Sequence, residues 1–197
     1  MSPKQQRGEA TADLLLDVAL RLYAAEGPRG VTVGAVTQVS GVSMGSLYHH
    51  FGSVDGLVAA LTDRWLTRLL GELAAALQGA RTARTGIRAL VRAYLSFIQE
   101  HPGAAVLLHS AAADSRTMGQ ARELRDSQEA RISAFAQWIG PRVLAGELAP
   151  LPLPLIESLA LGPVVGVARR WLSGVGDVDL DEAARILPER IWRSLAP

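Results

Sequence analysis

The chain contains no cysteine and carries almost no net charge. The 0 cysteines among 197 residues exclude disulfide scaffolds, thiol-based sensing and zinc-finger chemistry, and they leave the cellular compartment undecided. A formal net charge of +1 gives no argument from bulk charge for a nucleic-acid partner. The first ten residues, MSPKQQRGEA, hold no apolar core, so we expect no secretory signal peptide.

Patterns that favour β-strands are also scarce. Alternating runs with β-branched residues hardly occur, whereas Ala, Leu, Arg and Glu dominate the sequence. Hydrophobic residues make up 49% of the chain and charged residues 20%, which is the composition of a globular protein and not of a disordered one. The sequence therefore predicts an all-α fold of one or two domains.

Residues 32–51 indicate two short helices joined by a tight turn. Thr32 is placed to cap the first helix, because a threonine hydroxyl accepts a hydrogen bond from an amide two or three residues on. The apolar positions of this helix recur at three-residue spacing and predict a buried stripe: Val33, Val36 and Val39. Gly41 tolerates the left-handed backbone with which helices end, and Ser43 is placed to cap a second helix from Met44 to His50. Such spacing is that of a helix-turn-helix.

The second helix of this motif has an apolar and a polar face. Leu47 and Phe51 are four residues apart and are predicted to face the core. The side chains that remain outside are polar: Ser46, Tyr48, His49 and His50. A helical face of hydrogen-bonding groups without a carboxylate suits a surface that meets phosphates and base edges.

No Lys, Arg, Asp or Glu occurs in residues 31–52. Phosphate contacts would therefore come from hydroxyls, backbone amides, helix N-termini and the nearby Arg29. The polar segment 1–8 adds Lys4 and Arg7 and has two interpretations. It is either a solvated, disordered end or a basic arm that reaches DNA, as arms do in several helix-turn-helix proteins.

The motif resembles that of a known family. The pattern Gly41-Val42-Ser43-x-Gly45-x-Leu47-Tyr48-x-His50-Phe51 is similar to the recognition-helix signature of TetR/AcrR-type transcriptional regulators, and the resemblance covers roughly the first third of the chain. It implies a three-helix DNA-binding head over residues 1–52, a connecting helix over 53–78, and a helical ligand-binding and dimerisation domain over 79–197, with about nine helices in all.

The resemblance also implies a function. It predicts a cytoplasmic, homodimeric repressor that a small-molecule inducer releases from a palindromic operator, with no cofactor and no catalysis. Relatives present a lysine two residues before Gly56, where this chain has Val54, so one phosphate contact typical of the family is missing. The residues predicted to meet DNA are Lys4, Arg7, Thr32, Ser43, Met44, Ser46, Tyr48, His49 and His50.

The second domain begins after the polar stretch 79–85 and contains several aromatic residues at helical spacing. These side chains are either an ordinary core or the lining of a cavity between the middle helices. The resemblance favours the cavity, because family members commonly bind an inducer in this domain. The candidate ligand-binding residues are Tyr94, Phe97, Met118, Phe135 and Trp138.

The last two predicted helices, 155–172 and 179–195, carry more apolar surface than the surface helices of a monomer should. Charges within the first of them argue against a membrane span, and Pro188 is expected to kink the second. The resemblance implies that these helices form a four-helix bundle across a two-fold axis. The residues predicted at this interface are Leu155, Leu159, Gly162, Gly166, Leu187, Ile191 and Leu195.

Three alternatives stay open at this point. Residues 41–45 also match G-x-S-x-G, the nucleophile elbow of serine esterases, although that elbow needs a preceding strand. An all-α dimeric interaction module whose head has lost DNA binding would equally fit an uncharged helix-turn-helix. Metal binding by His49 and His50 is disfavoured, because adjacent residues diverge by about 100° on a helix, and we expect no metal.

Overall fold

The computed structural model describes the backbone of residues 3–113 and 135–197, and the side chains of residues 6–110 and 135–197. Over these ranges the chain is helical and forms no strand, which confirms the all-α prediction. The elements, in chain order, are α1 (Pro3–Glu26), a 3-10 turn (Gly27–Gly30), α2 (Val33–Ser40), α3 (Met44–Phe51), α4 (Val54–Gln78), α5 (Ala83–Glu100), α6 (Pro102–Ala113), α7 (residues 135–144), α8 (Leu153–Leu172) and α9 (Leu180–Leu195).

The chain divides into two compact units. Unit 1 comprises Met1–Thr67 with Gly103–Gln120, and unit 2 comprises Arg68–Pro102 with Ala121–Pro197. The division falls inside α4, so that helix contributes side chains to both cores. The domain boundaries proposed from the sequence, after residues 52 and 78, remain predictions.

Unit 1 is organised around α1, whose apolar face packs on α2 and α3. The buried core residues come from five helices and the segment before α2: Leu15, Leu16, Val18, Ala19 and Tyr23 from α1, Val31 before α2, Val36 from α2, Leu47 from α3, Leu57 and Leu61 from α4, and Leu107 from α6. The apolar side chains of the helix-turn-helix therefore pack into this core, and its opposite face is exposed to solvent.

Two predictions about this unit were wrong. Residues 3–8 are helical and continue α1, because the only proline there, Pro3, lies in the first turn, where a missing amide costs no hydrogen bond. Val39 is 53% exposed, while Val36 is fully buried. Three-residue spacing winds around a helix with 3.6 residues per turn, so that Val33 and Val39 lie about 120° apart.

Unit 2 is built from the end of α4 with α5, α7, α8 and α9. Helix α5 is strongly amphipathic and packs against both α8 and α9. It begins at Ala83, inside the polar stretch 79–85, because Thr82 and Thr85 form a reciprocal capping box. Helix α9 continues through Pro188, which is buried. No helix in the described ranges is long and apolar enough to span a membrane.

The chain between α7 and α8 is shorter than its composition indicates. Residues 140–154 are rich in proline and glycine, which favours a connection, yet the helix of α7 runs on through Gly140 and Pro141 to residue 144. The carboxylate of Glu147 then accepts a hydrogen bond from the Ala83 amide at 2.6 Å. This bond satisfies one of the free amides at the start of α5 and ties the loop to that helix.

Candidate DNA-binding surface and apolar cavity

The turn of the helix-turn-helix is fixed by three local devices. The Thr32 hydroxyl accepts a hydrogen bond from the Ala35 amide at 3.2 Å, at the start of α2. Gly41 adopts a φ of 68°, and its amide donates to the Thr37 carbonyl, which ends the helix in the left-handed conformation that glycine tolerates. The Ser43 hydroxyl accepts from the Ser46 amide at 3.2 Å and caps α3. These contacts confirm the predicted capping residues and set the direction of α3.

Helix α3 exposes one face and buries the other. Leu47 is fully buried, whereas Met44 is 56% exposed and Tyr48 is 44% exposed. Gly45 and His49 lie on the same exposed face, and a side chain at Gly45 would meet no atom within 4 Å. Ser46, His50 and Phe51 are half-buried at the edges of this face. The exposed face therefore consists of residues 44, 45, 48 and 49, at the spacing of one helical surface.

The two histidines at the end of α3 differ in environment. The rings of His49 and His50 meet edge to face with centroids 5.4 Å apart. His49 is exposed, while the His50 ring lies towards α1, where a Cβ on Gly8 would come within 3.8 Å of it. Among the side chains that the structure describes, no three His, Asp or Glu groups converge as a metal site requires.

Positive charge near α3 comes from outside the motif. Arg29, in the 3-10 turn before α2, and Arg7 on α1 are exposed, and Thr32 is exposed between the turn and α2. Lys4 belongs to α1, but its side chain lies outside the described residues. Arg64 on α4 pairs with Asp17 at 3.1 Å, so its charge is largely compensated.

Val54 begins α4 and is half-buried against the core of unit 1. The preceding Ser53 hydroxyl accepts a hydrogen bond from the Gly56 amide at 2.9 Å and caps the helix. Gly56 is needed at its position, because a Cβ there would clash with the Phe51 carbonyl. The bend between α3 and α4 is thus closely packed, and the valine in place of the usual lysine contributes to that packing.

The nucleophile-elbow interpretation of residues 41–45 is wrong. The segment that precedes Ser43 is helix α2 and not a strand, and the Ser43 hydroxyl acts as a helix cap. An elbow holds its serine on a strand-to-helix turn at the edge of a sheet, and the described part of the chain has no sheet.

A small apolar cavity lies inside unit 2. Its volume is about 10 Å³, room for about one water molecule. The residues that line it come from α4, α5 and α7–α9 and the loop before α8: Leu77, Ile87, Leu90, Phe135, Trp138, Ile139, Leu148, Ile156, Ala160 and Leu195. All of them are apolar at the wall, so the cavity offers no charged or hydrogen-bonding group to a ligand.

Trp138 forms one wall of this cavity and is held by three contacts. Its indole Nε1 donates a hydrogen bond to the Leu77 carbonyl at 3.0 Å. The Arg142 guanidinium lies 3.9 Å from the ring centroid and also donates to the carbonyl of Ala80 at 3.0 Å. The six-membered part of the ring packs on Gly86, where a Cβ would clash with the ring atom Cζ2. Because a cation over an indole is attracted to the ring, Arg142 clamps the tryptophan in place.

The structure separates the aromatic residues predicted at the ligand site. Phe135 and Trp138 line the cavity and stack with centroids 6.4 Å apart. Phe97 is buried and meets the His101 ring edge to face at 5.1 Å, away from the lining. Met118 lies outside the described residues. Tyr94 is also buried and outside the lining; burial raises its pKa to about 12, an effect that nearby Arg169 partly offsets.

Comparison with known proteins identifies the chain. Residues 15–61 match the family described as bacterial regulatory proteins, tetR family. The helix-turn-helix segment is therefore that of a TetR-type transcriptional regulator. The regulator is 26% identical over 148 residues to the HTH-type transcriptional regulator BetI of Rhizobium meliloti, in a match that covers 75% of this chain and 70% of that protein.

Solved structures share the regulator's fold. A TetR family transcription regulator from Marinobacter aquaeolei matches with a TM-score of 0.80 at 19% identity, over 98% of both chains. The transcriptional regulator FadR from Bacillus subtilis, solved in complex with stearoyl-CoA, matches with a TM-score of 0.79 at 14% identity, over 90% of this chain and 96% of that one. The fold and the relatives are those of transcriptional regulators and not of enzymes.

The residues predicted at a dimer interface fall into two groups in the regulator. Leu155 is 45% exposed, Gly162 and Gly166 on the same helix are exposed, and Leu159 and Leu187 are half-buried. Ile191 and Leu195 are buried in the core of unit 2, with 2% and 1% exposure. Ile186, which sequence reasoning did not select, is 49% exposed on α9.

Sequence reasoning also missed Gly86 and Arg142. Gly86 carries no spacing signal that links it to Trp138, and the one hint there was a glycine inside a strongly amphipathic helix, since glycine weakens a helix unless another group approaches closely. Arg142 lies four residues after Trp138 on α7, the spacing at which helical side chains meet, so this contact could have been found from the sequence.

Proposed function

We propose that the regulator is a homodimeric repressor, acting in the cytoplasm, that binds a palindromic operator through α3 and releases it when an apolar ligand enters unit 2. The observation that carries this proposal is the uncharged, exposed face of α3, set by two capped helices and a glycine turn. In helix-turn-helix proteins the second helix enters the major groove, and dimers place two of them about 34–36 Å apart.

Phosphate contacts would come from groups around α3. The amides at the start of α2 and α3, the hydroxyls of Thr32 and Ser43, and the guanidinium of Arg29 supply donors without any charge on α3 itself. The two hydroxyls already cap their own helices, so each would accept one bond and donate its proton to a phosphate oxygen. Arg7 on α1 adds a further exposed cation.

Dimerisation would use α8 and α9. Their exposed side chains include Leu155 and Ile186, and the space above Gly162 and Gly166 is open. Small residues four apart let a partner helix approach closely, and a dimer of this kind buries more than about 1,000 Å². Ile191 and Leu195 would support this face from inside the protomer.

The ligand would bind where the small apolar cavity now lies. A typical ligand site measures about 300–1,000 Å³, so the cavity of about 10 Å³ corresponds to a closed state. Trp138 is the wall whose displacement would enlarge the cavity, because besides its packing on Gly86 the ring is held by one hydrogen bond and one cation contact. The apolar lining favours a hydrocarbon-bearing ligand, and the structural neighbour FadR was solved with stearoyl-CoA.

Ligand binding would act by a population shift. A ligand that binds the open form of unit 2 more tightly than the closed form lowers DNA affinity by the ratio of those two affinities. No catalytic step is involved, because the ligand is bound and released unchanged.

DNA binding is tested by a gel-shift assay with the DNA that flanks the regulator's own gene. Wild-type protein should bind this DNA specifically. The Tyr48→Ala variant should lose at least tenfold in affinity, since a side chain central to an interface contributes about 2 kcal/mol or more. Leu14→Ala is the matched control, because Leu14 is 41% exposed on α1 and lies off α3. Absence of specific binding by wild-type protein would favour the alternative of an all-α interaction module.

Ligand release is tested with stearoyl-CoA as the probe. Binding should raise the melting temperature by mass action and weaken the gel shift. Trp138→Phe removes the indole donor to Leu77 but keeps an apolar ring, so it should populate the open form and bind the probe more tightly. Trp65→Phe, in unit 1, is the control. If the probe moves neither melting temperature nor DNA affinity, a long acyl ligand is excluded.

A further inference from the structure

We propose that the regulator selects its operator through the C5-methyl groups of thymine, which Met44 and the ring of Tyr48 contact. This inference rests on the proposed entry of α3 into the major groove and names the kind of base contact made there. It assigns Met44 and Tyr48 as specificity-determining residues.

The exposed face of α3 lacks the side chains that read other bases. Arginine or lysine reads guanine, asparagine or glutamine reads adenine, and a carboxylate accepts a bond from cytosine. None of these six residue types occurs in α3, whose sequence is MGSLYHHF. His49 offers a single ring edge and cannot form the paired hydrogen bonds of those side chains.

Apolar groups occupy the positions where base readers normally stand. Met44 is the first residue of α3, and the N-terminal residues of a recognition helix are those that contact base edges. Its side chain is 56% exposed, and Tyr48, four residues on, is 44% exposed. Four-residue spacing places both on one surface of the helix, so they present adjoining apolar groups to a groove.

Gly45 makes a close approach possible. It lies beside Met44 on the exposed face and has open space above it, so no side chain keeps the α3 backbone from the base edges. Among base-edge groups in the major groove, the thymine methyl is the apolar one. An exposed thioether and an aromatic ring, with no charge in residues 31–52, match that chemistry.

The experiment replaces thymine by uracil, which removes only the methyl group. A tight-binding duplex is first selected from a randomised library with wild-type protein at fixed salt. Each thymine of its half-sites is then replaced singly by uracil. We expect about a fourfold loss of affinity per methyl at one or two positions, the value of one buried methyl group.

Variants assign the contact to its side chain. In Met44→Ala the penalty for uracil should vanish at one position, because the methyl no longer has a partner, while Leu14→Ala should keep the full penalty. Thermal melts of both variants should match wild type, since both side chains are exposed.

Two results would overturn the inference and leave DNA binding intact: equal affinity for the thymine and uracil duplexes, or a penalty that persists unchanged in both Met44→Ala and Tyr48→Ala. Failure to select any specific duplex would overturn the inference together with the proposed function.

Discussion

Gly86 on α5 and Trp138 on α7 pack so closely that the indole ring fills the space which a side chain at residue 86 would need. The contact explains a glycine on the buried face of α5, in the first turn of that helix. It also makes the position of Trp138, and hence the size of the cavity behind it, depend on the absence of a single methyl group.

We therefore expect Gly86→Ala to destabilise the protein. Alanine favours a helix by about 0.5–1 kcal/mol over glycine, but overpacking costs about 1–3 kcal/mol, so a net loss of about 1–2 kcal/mol should appear in urea unfolding. Gly71→Ala on α4 is the control, because its position is open and the same substitution should be neutral or stabilising. Equal changes in the free energy of unfolding for Gly86→Ala and Gly71→Ala would show that Trp138 moves aside without cost.

Tyr94 should make the protein labile in alkali. Burial raises the pKa of this phenol from 10.0 to about 12, because the low-polarity core disfavours the phenolate. As the pH rises, Tyr94 loses its proton in the unfolded chain before it does so in the folded chain. Its contribution to the free energy of unfolding is therefore complete below pH 10 and is lost as the pH rises to about 12. The loss should be about 2–3 kcal/mol.

Chemical denaturation at several alkaline pH values measures this effect. Tyr94→Phe lacks the ionisable group, so its unfolding free energy should be flatter than that of wild type above pH 10. Interference from lysine is small, because Lys4 is the one lysine of the chain. Parallel pH profiles for the two proteins would contradict the assignment.

Charge on the exposed face of α8 and α9 should split the dimer. Leu155→Glu and Ile186→Glu each place a carboxylate on a side chain that is 45% or 49% exposed in the protomer, so folding should be retained while association is lost. Light scattering at micromolar concentration would report monomers. Leu144→Glu, at a position that is 90% exposed on α7, should remain dimeric. If light scattering shows that the wild-type protein is a monomer, the proposed dimer interface is wrong.

Val54→Lys should restore a phosphate contact at the start of α4. If α3 enters the groove as proposed, the slope of log affinity against log salt concentration should become steeper by up to about 2. Each subunit would add one phosphate contact, and each contact contributes about 0.9 to the slope. A stability cost is expected, because Val54 packs on the core of unit 1 and a cation is disfavoured by about 0.3–1 kcal/mol at a helix N-terminus. Val54→Met is the control for bulk without charge, and its salt slope should equal that of wild type.

The sequence by itself determined the all-α class and the helix-turn-helix motif, although not every helix boundary. Helix caps at Thr32 and Ser43 and the glycine at 41 are local devices, in which a side chain or a backbone conformation acts within four residues, so their roles followed from spacing alone. The all-α class followed in the same way from composition and periodicity, and the pattern across residues 41–51 indicated the family.

Only the tertiary structure decided which apolar side chains are buried. Val39 is exposed although three-residue spacing predicted it in a buried stripe, and Ile191, predicted at the dimer interface, is buried in the protomer. A helix of eight residues makes barely two turns, so its buried face depends on the helices packed against it and not on its own repeat. For α9 the packing on α5 and α8 uses most of the apolar stripe.

The sequence predicted Trp138 and Phe135 at a cavity, but the packing that holds Trp138 in its wall was beyond the sequence. Leu77 on α4 and Gly86 on α5 meet Trp138 on α7, and such contacts exist only once those helices are packed together. Long-range packing of this kind leaves no periodic trace, because each partner fits its own helix equally well when the others are absent.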